Sequence, residues 1–406
     1  MNAICLVMDR LHAGYLGAYG NTWIETPTFD RLAAESFMFD QALIDTPDLE
    51  RLYRSYWQGL HALCPQDAAG RPTLPGLLRE AGVSTTLLTD ERLVRDHPLA
   101  IEFDDLVEID PPWQPQMVDE GSLHETHLAR CFVEILDRLQ TAEQPFLLWC
   151  HLGSLGTTWD APLEFRKRYW EEGDPEPSRS ADPPEGQLEE DHDPDDVLGF
   201  SQAYAGQVSL WDACLEGLCE VLEEHKAVRE TLVVLTSARG LPLGSHRRLG
   251  PCDDALYSEL VQVPLLLRFP DRLGASDRSQ ALVEPADLWA TLLDWWQLGD
   301  PRPTPSAASL MPLVRGQIAT IRDRLVVAGR TTERAIRTPA WHLRAAAEPE
   351  LFTKPDDWWE ANNVAIRCRE VVECLHDSLV QFEQTIRTGR VCDLPPLSDV
   401  LLRGLD

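Results

Sequence analysis

The first side chain equipped for chemistry is Asp9, because the apolar run 3–8 ends on its carboxylate. A strand that delivers a carboxylate at its carboxyl end, then passes into loops and a short helix, is how open α/β sheets present a site. The apolar run 146–150 ends on His151 in the same way, and His246 follows the later run 231–236. Either imidazole could be a general acid or a substrate contact, or a strand-end histidine hydrogen-bonded in the core. Thr46 and Ser55 carry hydroxyls, but Thr46 precedes Pro47, the favoured first residue of a helix, so N-capping accounts for it. Ser55 would lie a turn or two inside that helix. Trp113, Trp149 and Trp159 could stack on a sugar or aryl group, or simply pack in the core. Asp191, Asp193 and Asp195 alternate as calcium ligands can, yet the stretch lacks the glycine and terminal glutamate of an EF-hand loop, so no metal is predicted there.

Placing these residues requires strands and helices in alternation. Short continuous apolar runs at 3–8, 83–88, 146–150, 231–236 and 263–268 read as strands buried on both faces. Between them, residues 73–81 read as a helix stopped by Gly82, and 126–139 and 197–224 carry helical apolar periods. The expected class is α/β, a mostly parallel central sheet flanked by helices. Residues 171–196 are acidic, proline-rich and poor in large apolar groups, as in a surface insert or a disordered excursion. A helix is expected over 281–298, then a proline-rich connector at 301–305. Strands at 324–329 and 335–345 with a helix at 370–388 would make a small C-terminal α+β unit. The resulting organisation is a domain over 1–316 and a smaller one over 317–406.

The chain has 406 residues and a formal net charge of −31. Nucleic acid and anionic membrane surfaces both need a basic footprint, so neither is an expected partner. No run approaches the roughly 20 apolar residues of a membrane span, and no targeting segment is visible. Ten cysteines are scattered without a CxxC pair. That pattern reads as free thiols in a reduced, cytoplasmic protein.

The segments Met8-Asp9-Arg10 to Gly20-Asn21, Thr26-Pro27 and Phe29-Asp30-Arg31-Leu32-Ala33-Ala34-Glu35 resemble the opening signature of the sulfatases, in the alkaline phosphatase superfamily. Thr73-Leu74-Pro75 with Leu77-Leu78-Arg79-Glu80-Ala81-Gly82 is similar to the next family segment, and 145–151 to the strand that ends in a histidine. Leu235-Thr236-Ser237 followed by Leu243-Gly244-Ser245-His246 resembles the second metal-binding strand and its loop. Tyr257-Ser258-Glu259 with Val263-Pro264-Leu265 resembles the family segment after that loop. The resemblance implies an alkaline-phosphatase-like fold and, in active relatives, sulfate-ester hydrolysis by a formylglycine made from cysteine or serine. It also implies a calcium ion held by carboxylates, with lysines and histidines around the leaving group. A transition state rich in negative charge needs such preorganised positive charge.

By the same resemblance, the family's nucleophile falls on Leu49, which has no lone pair. The paired carboxylates of the first strand fall on Asp9 and Arg10, and the later metal-binding pair on Ala238 and Arg239. The lysine and histidine of the next strand fall on Asp90 and Arg92, and a later lysine on Asp253. Two like unit charges near 4 Å cost on the order of 4 kcal/mol at an effective dielectric of 20, so guanidiniums at this position repel a divalent ion. No catalytic residue is expected, with His151 and His246 the remaining candidates. No cofactor and no metal are expected, Asp9 being the remnant of the ligand set. Asp9 is either a leftover ligand or a plain ion pair with Arg10 or Arg239. The arginines Arg10, Arg92 and Arg239 either hold an anion such as a sulfated sugar or phosphorylated ligand, or neutralise Asp9 and Asp90. The expectation is a sulfatase-like protein without standard catalytic machinery. The alternative is an active sulfate- or phosphate-ester hydrolase with a rearranged site.

Overall fold

Asn2–Asp9 is fully buried along its length, which explains its unbroken apolar text. It is β1, near the middle of an eight-stranded sheet. In chain order the strands are β1, β2 (Phe37–Ala42), β3 (Ser84–Thr89), β4 (Asp105–Glu108), β5 (Phe146–Leu152), β6 (Gly186–Gln187), β7 (Thr231–Arg239) and β8 (Arg248–Leu249). There follow β9 (Leu265–Arg268), β10 (Arg278–Val283), β11 (Leu325–Ala328), β12 (Arg334–Arg337), β13 (Trp341–Ala345) and β14 (Glu350–Thr353). The structure is a computed structural model, and it describes residues 1–65, 70–224, 230–253, 255–299, 306–388 and 394–405. The proline-rich connector at 301–305 lies outside the described residues.

The main sheet runs β10-β2-β9-β7-β1-β5-β3-β4. All its pairings are parallel except those of β9, which lies antiparallel to both β2 and β7. The sheet is therefore mostly parallel, as its composition predicts. Period-two alternation splits its side chains into two cores. Ala3, Cys5 and Val7 face Tyr53, Trp57, Trp149 and Trp289 on one side. Ile4, Leu6 and Met8 face Phe29, Cys150, Tyr204 and Trp211 on the other. A separate antiparallel sheet, β11-β12-β13-β14, packs against the Arg369–Thr388 helix. The two sheets are joined where Ala328 N–H donates to Asp45 O at 2.8 Å and Arg337 Nη2 donates to Gln41 Oε1 at 2.6 Å.

Some expectations need correction. The helix expected over 281–298 begins only at Pro285, capped by Glu284, because Ala281-Leu282-Val283 extends β10 beside β2. The single strand expected over 335–345 is a hairpin, β12 and β13, turned at Thr338, whose Oγ1 accepts from Trp341 N–H at 3.1 Å. Thr46 is not the helix cap. Asp48 caps Leu49–Gln58, and Thr46 Oγ1 accepts from Asp48 N–H instead. The acidic insert is tied down at one end by Arg166, which donates to the carbonyls of Ser178 and Ser180, and β6 within it pairs with β8. Trp149 and Trp159 are core residues, whereas Trp113 is 95% exposed. No helix among the described residues is long and apolar enough to cross a membrane.

Leu6 sits in the central strand with no exposed surface. Leu6→Ala is expected to lower unfolding free energy by about 2–5 kcal/mol, read from urea denaturation, through lost transfer energy and a cavity. A loss below about 1 kcal/mol would contradict its place in the core.

Candidate active site

The carboxyl ends of β1 and β7 meet through an irregularity. Met8 pairs with Ser237, but Asp9 pairs with Arg239, so Ala238 is skipped. Such a bulge re-aims side chains. Here it sets Asp9 opposite a guanidinium, not opposite the methyl of Ala238. Arg239 Nε donates to Asp9 Oδ1 at 3.0 Å and Nη2 to Oδ2, a bidentate pair. The third nitrogen, Nη1, reaches Asp253 Oδ2 at 3.1 Å and Pro47 O at 3.4 Å.

Arg10 follows Asp9 with φ +69, the left-handed region, and its carbonyl accepts from Tyr204 OH at 2.7 Å. The guanidinium takes both oxygens of Asp253, Nη1 at 2.6 Å and Nη2 at 3.1 Å. A Cβ on Gly156 would lie 2.6 Å from Arg10 Cγ, so glycine there leaves room for the arginine stem. Asp9, Arg10, Arg239 and Asp253 are all nearly solvent-free. Their two positive and two negative charges balance, and the exposed Arg330 reaches Asp253 from outside at 3.6 Å. Burial alone would raise the Asp9 carboxyl, but Arg239, with Arg10 and His151 behind it, holds it well below the usual range.

The other candidates separate. Leu49 is the first residue of its helix, buried, with no atom able to attack an ester. His151 is fully buried. Nδ1 shares a 2.6 Å hydrogen bond with Tyr53 OH, while Nε2 has no partner among the described residues. Burial pushes its pKa down against the pull of Asp9. His246 stacks on Tyr257 with 3.5 Å between ring centres, and its nitrogens meet Glu259 Oε1 at 3.2 Å and Glu360 O at 3.1 Å. Burial alone would lower its pKa, but those two partners raise it. Arg92 stands exposed at the head of the Arg92–Arg95 helix, outside the Asp9–Asp253 network. Asp90 does not meet Arg92 either. It binds His127 Nε2 at 2.9 Å and Gly153 N–H at 2.7 Å.

Calcium does not fit this site. It takes six to eight oxygens. Of positions 9, 10, 238 and 239, only Asp9 offers a side-chain oxygen, and Arg239 occupies both of its oxygens.

The fold is shared with a phosphonate monoester hydrolase of Agrobacterium radiobacter, at TM-score 0.77 and 18% identity over 95% of this chain and 96% of that one. It is shared too with a protein solved in complex with its substrate D-glucosamine-2-N,6-O-disulfate, at TM-score 0.74 and 16% identity over 97% and 99% of the two chains. This is the α/β fold of the alkaline phosphatase superfamily. The Sulfatase family model matches residues 1–298, and the chain belongs to that family. Iduronate 2-sulfatase of Mus musculus is 22% identical over 375 residues, 74% of this chain. The human protein of that name is 22% identical over 374 residues, 72% of this chain. The match spans 65% of the length of each of these relatives.

Removing Asp253 leaves the buried Arg10 guanidinium without a carboxylate and takes one of the two carboxylates from Arg239. Asp253→Ala is expected to destabilise by about 3–5 kcal/mol, the scale for breaking a buried pair by deleting one partner. A loss under about 1 kcal/mol in urea denaturation would show that the arginines do not depend on it. Asp9 contributes its stability above the unfolded carboxyl pKa of about 3.9, and that stability fades as pH falls through the lower folded value. The gap in urea midpoint between the wild type and Asp9→Asn should therefore narrow from pH 7 to pH 3. A gap constant over that range contradicts an ionised, arginine-held Asp9.

Proposed function

We propose that this sulfatase-family chain does not hydrolyse esters and acts as a binding or assembly protein on the family scaffold. One observation carries the reading, an exchange of charge sign at linked positions. Where the family resemblance places carboxylates, Arg10 and Ala238 stand, Arg239 takes the neighbouring place of a neutral ligand, and where it places a lysine, Asp253 stands and pairs with both arginines. The exchange supplies by ion pairing the neutrality that calcium would supply by coordination. Leu49 at the nucleophile position agrees with it.

A sulfated sugar is the ligand class this reading carries, supported by the fold neighbour solved with a disulfated glucosamine. Binding its sulfate through Arg10 and Arg239 would mean opening their pairs with Asp9 and Asp253, whereas Arg92 is already open to solvent. The cysteines among the described residues are all free, which supports a reducing, cytoplasmic setting.

The test is an assay of aryl sulfate and aryl phosphate hydrolysis with added calcium, magnesium, manganese or zinc. Background rates in every metal, the same for wild type and Asp9→Ala, are expected. Metal-dependent turnover lost in Asp9→Ala would overturn the reading in favour of a rearranged hydrolase.

A further inference from the structure

Outside the Asp9 network, three side chains of different ligand chemistry converge in the interior. Asp90 follows β3 directly, and its Oδ1 is fixed by Gly153 N–H at 2.7 Å. His127 opens the His127–Thr141 helix, which Thr126 caps by accepting from Ala129 N–H. The backbone N–H of His127 is itself held by Asp160 Oδ2 at 2.6 Å. Cys131 lies one turn further, so its side chain falls on the same helix face as that of His127. His127 Nε2 stands 2.9 Å from Asp90 Oδ2 and 3.7 Å from Cys131 Sγ. One ligand atom from each of the three lies within 4.8 Å of the other two. All three residues are buried, Cys131 completely.

We propose that Asp90, His127 and Cys131 form a structural site for a thiophilic divalent cation of the zinc class. A tetrahedral ion with bonds of about 2.0–2.3 Å needs its ligand atoms roughly 3.3–3.8 Å apart. The Cys131–His127 separation already meets that, and the His127–Asp90 contact has to open by about 0.4 Å. One thiolate, one imidazole and one carboxylate suit zinc and its analogues and are wrong for calcium, which wants oxygen alone. Gly153 N–H orients the Asp90 carboxylate, as outer contacts do in built metal sites, and Asp160 fixes the backbone from which His127 projects. Binding forms the S–metal bond of Cys131 and the Nε2–metal bond of His127, the thiol proton leaving to solvent and the proton that Nε2 shares with Asp90 moving to Nδ1, and a water takes the fourth position. The ion would pin the carboxyl end of β3 to the helix. The site shares no residue with the Asp9–Asp253 network, and Asp90 stands where the resemblance expects a lysine.

Metal-stripped, full-length chain titrated with cobalt(II) tests this. One cobalt per chain is expected, with a sulfur-to-cobalt charge-transfer band and tetrahedral d–d bands, both erased by one equivalent of zinc. Cys131→Ser should lose the charge-transfer band, and His127→Gln should weaken binding at least about tenfold. Because the chain has other cysteines, iodoacetamide labelling of unmodified protein read by peptide mass spectrometry gives a second readout. Because Cys131 is buried, labelling is run at a urea concentration just below the unfolding midpoint, where the metal-free chain opens transiently, and zinc should slow labelling of Cys131 selectively, whether or not the variants fold. Failure of the wild type to take up cobalt with these bands overturns the proposal. So does an unchanged band in Cys131→Ser, or zinc protection that falls on other cysteines.

Discussion

A guanidinium buried beside a strand end must have its charge answered on the spot, and the head of the main sheet is arranged around that requirement. Arg239 cannot leave the interior, since it belongs to β7, buried along its whole length. It therefore takes both oxygens of Asp9 and shares Asp253 with Arg10. The strand irregularity at Ala238, the left-handed Arg10, the bare α-carbon of Gly156 and the loop carrying Asp253 all serve this arrangement. A buried ion pair is weak evidence for added stability in itself. What it imposes is interdependence, because each member is tolerable only with the others present.

The same economy recurs where the two sheets join. Glu360 Oε1 takes Lys354 Nζ at 2.9 Å and the Ser258 hydroxyl, while its Oε2 accepts from the backbone N–H of Ser258 at 2.8 Å. Burial alone would raise this carboxyl, yet His342, Lys354 and Ser258 bring it down to about 2. The Glu360 carbonyl also holds His246, whose ring covers Tyr257 while Arg344 lies over that ring at 3.7 Å. His246 thus joins the packing between sheets and stands apart from the Asp9 network.

Much of the fold was legible because burial on both faces writes continuous apolar text. That is why β1, β3, β5 and β7 could be read directly, with ends that differ by a few residues. Strand direction leaves no such mark, so the antiparallel β9 read like its neighbours. The β12–β13 turn was hidden because Thr338, Pro339 and Ala340 lack the glycine or asparagine that usually announces a hairpin. At the site, the residue types at positions 9, 10, 49, 238 and 239 were plain, and so was the aspartate at 253. Its role was not, because nothing local shows that it meets two arginines more than 200 residues and 14 residues away. His127 and Cys131 carried a readable signal, four-residue spacing on one helix face. It gains meaning only once Asp90 is brought opposite them.

The sharing of Asp253 by two arginines makes the present site hard to leave by small steps. Returning a carboxylate to position 10 would place it against Asp253 while Arg239 kept its pairs, and returning a lysine to position 253 would add a third cation to two. Either of these single steps toward a metal-ready pocket crosses a state with like charges enclosed in the protein interior. In mutational terms the arrangement is a local trap, with exits that open only when several positions change together.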